Sequence, residues 1–263
     1  MEIRALSTGT VRVKDAFLHA RRGPTRQLRL FTPGSFSGPL PIHAWLVEHD
    51  GQRILVDTGE VATARDIPFA RFAVRAEDEL PGALRAVGVA PSDVDLAVVT
   101  HLHADHMDGA VHLGREVLVH EAEWAYAHSA LARVFQRVLH QPLPEGVAFR
   151  PVALDDGPFG AFAASRRLTG DGRVVLVATP GHTPGHASVV CVDDDGRHVL
   201  LAGDATDTLE QLRDRRPDAV GPKPKVHVAT LDRILAHARE HPTVYLPSHD
   251  PESAARLANR SLV

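Results

Sequence analysis

Thr100-His101-Leu102-His103-Ala104-Asp105-His106-Met107-Asp108-Gly109 is the stretch from which the rest of this 263-residue chain is read. It follows the apolar run 95–99 and sets three imidazoles and a carboxylate within six consecutive positions. Imidazole nitrogen and carboxylate oxygen are the donors that a borderline metal such as zinc accepts. In an extended or turning segment His101 and His103 point the same way, because side chains alternate with a period of two. Asp105 and His106 then fall past the bend, where they can serve a second ion. With 17 histidines in the chain, chance produces such a pattern in roughly half a per cent of sequences of this kind, so metal binding is the expectation.

Working outward, the flanks read as alternating strands and helices. Upstream, 77–87 is a helix with Leu80, Leu84 and Val87 on one face and acidic residues in its first turn; Gly88 ends it. Segments 44–48 and 53–57, joined through His49-Asp50-Gly51-Gln52, form a hairpin, since Asp-Gly is a strong turn signal. Asp57 then stands at a strand end, either as a turn-former or as a group that orients metal ligands. Downstream, 116–120 is a strand. Positions 121–139 read as one helix whose stripe of Trp124, His128, Leu131, Phe135 and Val138 or Leu139 faces the core, with a pocket wall as the alternative. His128 reads as a packed histidine, not a ligand.

Three further strands end in ligand-type residues. Residues 173–178 stop at Thr179-Pro180-Gly181-His182-Thr183-Pro184-Gly185-His186, where prolines and glycines force a rigid loop that holds His182 off the strand end. Residues 198–204 close on Asp204, and 243–246 run into Pro247-Ser248-His249-Asp250. Strands are also expected at 2–6, 11–14, 147–154 and 187–192, and helices at 225–241 (Leu231, Ile234, Leu235 and Ala238 inward) and 252–259. The stretch 21–41 reads as a loop anchored by Phe31 and Phe36, and 63–75 as a loop whose Phe69 and Phe72 share one helical turn, with pocket lining as the alternative. Residues 155–169 read as irregular, 193–196 as a solvated acidic turn in preference to a calcium site, and 205–224 as a polar surface loop. No compositional break divides the chain, so one domain over 1–263 is expected.

Composition narrows the partners. A net charge of −4 and a pI near 6.5 give no reason to expect nucleic acid. Arg21-Arg22 and Arg213, Arg215 and Arg216 read as solvated surface. Cys191, the sole cysteine, lies in an apolar run and reads as a small core residue. The first residues lack a signal-peptide profile, and no apolar run is long enough to span a bilayer. A cytoplasmic protein with no membrane or nucleic-acid partner is expected.

Taken together, the His-x-His-x-Asp-His run, the Gly181-His182 pair, Asp204 and His249 resemble the metallo-β-lactamase superfamily over residues 44–249, including Val56-Asp57-Thr58-Gly59. The resemblance implies an α/β fold, a four-layer αβ/βα sandwich with internal pseudo-twofold symmetry and the metals at one edge of the sheets. It implies one metal on His101, His103 and His182, another on Asp105, His106 and His249, and Asp204 bridging them, with Asp57 and His186 supporting the ligands. The ions would be two divalent metals, zinc first, with iron, cobalt or manganese as alternatives. Within the superfamily the chain is most similar to the N-acyl homoserine lactonases. That implies opening of a lactone by a hydroxide shared between the metals, with Asp105 also passing a proton to the leaving oxygen. Such lactonases commonly carry a Tyr three positions after the bridging Asp, where this chain has Asp207. Phe36, Phe69, Phe72 and Asp207 are the expected substrate-pocket residues, compatible with an acyl pocket or a homodimer. A glyoxalase II type thioester hydrolase, or another esterase of the fold, is the alternative, and a mononuclear iron sulfur dioxygenase a further one.

Overall fold

The computed structural model describes residues 1–18 and 25–263; the Arg21-Arg22 pair lies outside the described residues. The strands, in chain order, are β1 (Glu2–Val13), β2 (Leu40–His49), β3 (Gln52–Val56), β4 (Ala70–Ala73), β5 (Leu96–Val99), β6 (Val117–His120), β7 (Phe149–Val152), β8 (Ser165–Arg167), β9 (Val174–Ala178), β10 (Ala187–Val192), β11 (His198–Gly203) and β12 (Thr243–Pro247). The helices are α1 (Asp15–Leu18), α2 (Leu80–Ala86), α3 (Ala104–Met107), α4 (Glu121–Ala127), α5 (Ala130–Val138), α6 (Leu209–Arg213), α7 (Pro224–Glu240) and α8 (Ser253–Ala258). One sheet runs β4-β1-β2-β3-β5-β6-β7 and the other β12-β11-β10-β9-β8.

Strand alternation makes the layers. Trp45 and Val47 of β2, Val98 of β5 and Leu118 of β6 pack against Leu176, Val189, Cys191 and Leu201 of the other sheet. Their sequence neighbours Ala44, Leu46, Ala97 and Val99 face outward onto Leu80 and Leu84 of α2. On the far side, Val175, Val190, Leu200 and Tyr245 face Leu231 and Ile234 of α7. The result is helix, sheet, sheet, helix, as expected for an αβ/βα sandwich. Nearly all of these side chains are fully buried, and each valine, leucine and isoleucine among them contributes about 1.5–3 kcal/mol relative to an exposed position. Cys191 sits in the inter-sheet layer, where burial pushes its thiol up to about 12. No helix among the described residues is long and apolar enough to cross a membrane.

Several local expectations change. The two N-terminal strands are one, β1, interrupted by an irregular register between Ser7 and Thr10, where Gly9 takes φ 111°. Phe69 and Phe72 do not share a helical turn: β4 pairs along β1, with Phe72 opposite Val11. A spacing of three fits a short edge strand preceded by a turn as well as it fits a helix. The helix expected at 121–139 is broken. Ser129, at φ −65° and ψ 153°, caps α5 by accepting the Ala132 N–H at 3.2 Å. That break turns the second half away from the core, so Ala132 is buried while Leu131 and Val138 are 63% and 64% exposed. The polar segment after Asp204 is not simply surface: it holds α6 and buries Asp218 and Ala219.

Where α7 meets the start of β11, His198 Nδ1 lies 2.8 Å from His237 Nε2, and the His241 ring stacks on that of His198 at 4.3 Å. Phe162 packs on His237. Burial, then the neighbouring imidazoles, hold His198 and His237 at about 4, against about 6.5 unfolded. Their neutral packing therefore stabilises the fold fully above pH of about 6.5. That stability is lost as pH falls toward about 4, because only the unfolded chain takes up the protons. The melting temperature is expected to drop from pH 7 to pH 4.5, and His237→Phe, which keeps a ring and loses a titrating group, should flatten that slope. An identical slope in the variant would remove this cluster as the cause.

Candidate metal centre

Strand direction explains why the ligand-type residues meet. β3 and β5 run parallel, as do β11 and β12, and β9 points the same way as β11 through the antiparallel β10 between them. The residues after β3 and β5 therefore leave one end of the first sheet and those after β9, β11 and β12 one end of the second, and the two ends adjoin, bringing together Asp57, His101 to His106, His182, Asp204 and His249. Tight backbone contacts fix the loops there. The Thr58 N–H donates to the His106 carbonyl at 2.8 Å, and the Gly109 N–H to the Gly59 carbonyl at 3.0 Å. A Cβ on Gly109 would fall 2.0 Å from the Thr58 carbonyl oxygen, so only glycine closes this contact.

Three ring nitrogens converge in one group: His103 Nδ1 lies 3.0 Å from His101 Nε2 and 2.9 Å from His182 Nε2. A second group is formed by His106 Nε2, His249 Nε2 and Asp105, with His249 Nε2 3.4 Å from Asp105 Oδ2. Asp204 stands between. Its Oδ2 faces the first group, 3.4 Å from His182 Nε2, and its Oδ1 faces the second, 3.2 Å from His106 Nε2 and 3.3 Å from His249 Nε2.

Each of four rings is oriented through its other nitrogen. His106 Nδ1 meets Asp57 Oδ2 at 2.9 Å, His182 Nδ1 meets Asp218 Oδ2 at 2.6 Å, His249 Nδ1 meets the Pro41 carbonyl at 2.8 Å, and His101 Nδ1 meets Thr100 Oγ1 at 3.1 Å. Metal-bound histidines are held in this way. Asp57, with φ 62° at its strand end, also accepts the Thr100 N–H at 2.7 Å, so it orients the motif as well as turning the chain. His186 is fully buried; its Nε2 accepts the Asp204 N–H at 3.1 Å, which fixes that backbone.

The donor set fits two cations. His106 Nε2 and Asp204 Oδ1 are buried with no hydrogen-bond partner, and an orphaned lone pair at such depth costs about 1–3 kcal/mol unless something occupies it. Tetrahedral zinc, with bonds of about 2.0–2.1 Å to nitrogen, separates its donors by roughly 3.3 Å, close to the spacings of the first group. Burial and the surrounding imidazoles keep His101 and His103 neutral, His103 at about 3. Burial opposes charge on His182 and His249 as well, but Asp218 and Asp204 outweigh it at His182, and Asp204 and Asp105 at His249, raising both to about 9. Burial likewise disfavours the Asp204 carboxylate, and His106 and His249 overcome it, holding the group well below its ordinary range.

Above the two groups opens a cavity of about 370 Å³, walled by Phe17, Phe31, Phe69, Phe72, Leu131 and Phe135, with His103, Asp105, His182, Asp204, Asp207 and His249 on its polar floor. Phe36 is not part of it; its ring lies under the Arg71 guanidinium, 4.2 Å away, because the chain at Phe36 bridges to Lys14 on the sheet edge. Asp108 turns away to a buried neighbour, Glu60, which burial and the Asp108 charge raise to about 9. Two buried carboxylates that bind the ligand-type loops, Asp218 and Glu123, carry no mark in the sequence. Asp218 lies in a proline-interrupted stretch with no pattern to mark it, and Glu123 reads the same as Glu121, an acid in the first turn of a helix.

A family model described as the metallo-beta-lactamase superfamily matches residues 37–249. The N-acyl homoserine lactonase of Bacillus thuringiensis is 27% identical over 232 residues, covering 84% of this chain and 85% of the lactonase. The N-acyl homoserine lactonase AttM of Rhizobium radiobacter is 23% identical over 236 residues, covering 83% and 85%. Among solved structures, an N-acyl homoserine lactone hydrolase with the product N-hexanoyl-L-homoserine bound at its catalytic metal centre aligns with TM-score 0.75 at 22% identity, over 95% of this chain and 93% of that one. AidC, a dizinc quorum-quenching lactonase, aligns with TM-score 0.64 at 15% identity, over 95% and 87%. These two likenesses establish the fold.

Proposed function

The chain belongs to the metallo-beta-lactamase superfamily, and we propose that within it this metal-dependent hydrolase holds two divalent ions, zinc foremost, and opens lactones, N-acyl homoserine lactones among them. The observation that carries this reading is Asp204, whose two oxygens face two separate donor groups at the floor of an apolar cavity. His101, His103 and His182 would hold one ion, Asp105, His106 and His249 the other, and Asp204 both. When bound, such ions polarise a carbonyl and lower the pKa of water from about 15.7 toward about 7.

The chain's own residues do the rest. Asp57 and Asp218 hold the His106 and His182 rings in fixed tautomers. The six apolar wall residues exclude water around an acyl chain and leave the ring ester over the polar floor. Opening breaks the acyl–oxygen bond, water supplies the new carboxylate oxygen, and the leaving oxygen must gain a proton. Asp105, on that floor and 3.4 Å from His249, is the group placed to pass it. Asp207 offers a buried Oδ2 without a partner to the substrate's carbonyl region.

The test is metal analysis together with a panel of acyl-homoserine lactones, simple γ- and δ-lactones, a thioester and an aryl ester. We expect two metals per chain, lactone opening that chelation abolishes and zinc restores, and slow turnover with metals retained in Asp105→Asn. Metal-replete protein that cleaves the thioester and no lactone would replace the lactonase reading with a thioesterase one, and unchanged turnover in Asp105→Asn would remove Asp105 from the proton path.

A further inference from the structure

Glu123, at the start of α4, is 1% exposed, and its carboxylate is filled by three donors from two different ligand loops. Oε1 accepts the Leu102 N–H at 3.1 Å; Oε2 accepts the Thr183 hydroxyl at 2.6 Å and the Gly185 N–H at 3.2 Å. Leu102 lies between His101 and His103, and Thr183 follows His182. The loops are in direct contact with the same helix start: a Cβ on Gly185 would fall 1.9 Å from the Glu123 backbone nitrogen, and the Gly185 carbonyl meets His120 Nδ1 at 2.8 Å.

The second donor group is anchored elsewhere. His106 is held by Asp57, His249 by the Pro41 carbonyl, and the 106–109 backbone by Thr58 and Gly59. None of these contacts passes through Glu123.

We propose that Glu123 is a positioning residue for one metal only: its carboxylate clamps the 101–103 loop to the 182–185 loop and so sets the distance between His101, His103 and His182. This rests on the two-metal reading above. A carboxylate suits the task because only an acceptor with several lone pairs can take three donors at once. Glutamine keeps the shape, retains one acceptor oxygen and turns the other position into a donor, which then faces a backbone N–H, of Leu102 or of Gly185, whichever way the amide turns.

The experiment is graded chelation of the zinc-loaded full chain, with metal content measured at each step, for the parent, Glu123→Gln and Thr183→Val, alongside the melting temperature of each metal-free protein. Groups that orient metal ligands typically contribute 10- to 100-fold to affinity. Glu123→Gln is expected to release one metal at about 10-fold or more lower chelator concentration while the other is released as in the parent. Thr183→Val, which removes one donor and leaves Glu123 in place, should shift the same step in the same direction by less. Release of both metals together, or no shift in either variant, overturns the clamp, as does a Glu123→Gln variant whose metal-free melting temperature falls while both release steps stay in place. A parent chain that holds fewer than two metals would instead overturn the dinuclear reading, and the parent titration alone shows it.

Discussion

Asp204→Ala is expected to lower kcat/KM for lactone opening by about 10³-fold or more, about 4 kcal/mol of barrier, and to remove at least one metal. Among the described residues Asp204 alone has its two oxygens directed to different donor groups, with Oδ2 3.4 Å from His182 Nε2 and Oδ1 3.3 Å from His249 Nε2. On the proposed two-metal reading its loss removes a shared ligand, and it removes the charge that favours protonated His106 and His249 against their burial. The metal-free variant should fold, because the Asp204 backbone N–H still donates to His186 and Gly203 still turns the strand end at φ 54°. It should melt lower than the metal-free parent near neutral pH, because removing one partner from a buried charge cluster leaves His106 and His249 without the carboxylate that offsets their burial. Metal content and kcat/KM measured on the same preparation decide the matter. Two metals per chain with more than about a tenth of the parent activity would show that Asp204 does not bridge.

How far the site was legible follows from where its chemistry is written. The ligand-type residues sit in contiguous, unusual strings at strand ends, so His101, His103, Asp105, His106, His182, Asp204 and His249 stand out in the sequence, and the fold draws them into neighbouring donor groups. The layered architecture was legible for the same reason: alternating apolar residues such as 44–47 and 187–191 require a sheet covered on both sides. Of the groups that orient these rings, Asp57 was legible at its strand end and His186 beside His182, while Asp218 and Glu123 were not. Asp218 reaches His182 across 36 positions from a stretch that reads as surface, and Glu123 reaches Thr183 across 60. A buried carboxylate of this kind is selected by a three-dimensional contact and leaves no periodic mark. The break at Ser129 has a local signal, a serine capping the next turn, but the apolar stripe running through 124–139 overrides it when only period is read. Leu131 and Val138 therefore read as core, although both stand exposed and Leu131 lines the cavity, the alternative reading of this stripe.

Asp207 decides whether the lactonase reading extends to how the substrate is held. Its side chain is buried, faces the same floor as His182, Asp204 and His249, and leaves Oδ2 with no partner, while its backbone N–H is taken by Gln211 at 2.7 Å. Burial, then the charges of Asp204 and Asp218, raise it to about 7, a shift toward the protonated carboxyl that can donate to a carbonyl oxygen. A tyrosine, the residue common at this position in similar lactonases, does the same from a longer arm, and the shorter carboxyl requires the substrate carbonyl to sit deeper. Removal of one donor aimed at a developing oxyanion typically costs about 10²–10³ in kcat. Asp207→Leu is therefore expected to lose about 10²-fold in kcat with both metals retained, and Asp207→Asn, whose amide can still donate, to lose far less. Equal activity in the Leu and Asn variants would place the carbonyl's partner elsewhere in the cavity.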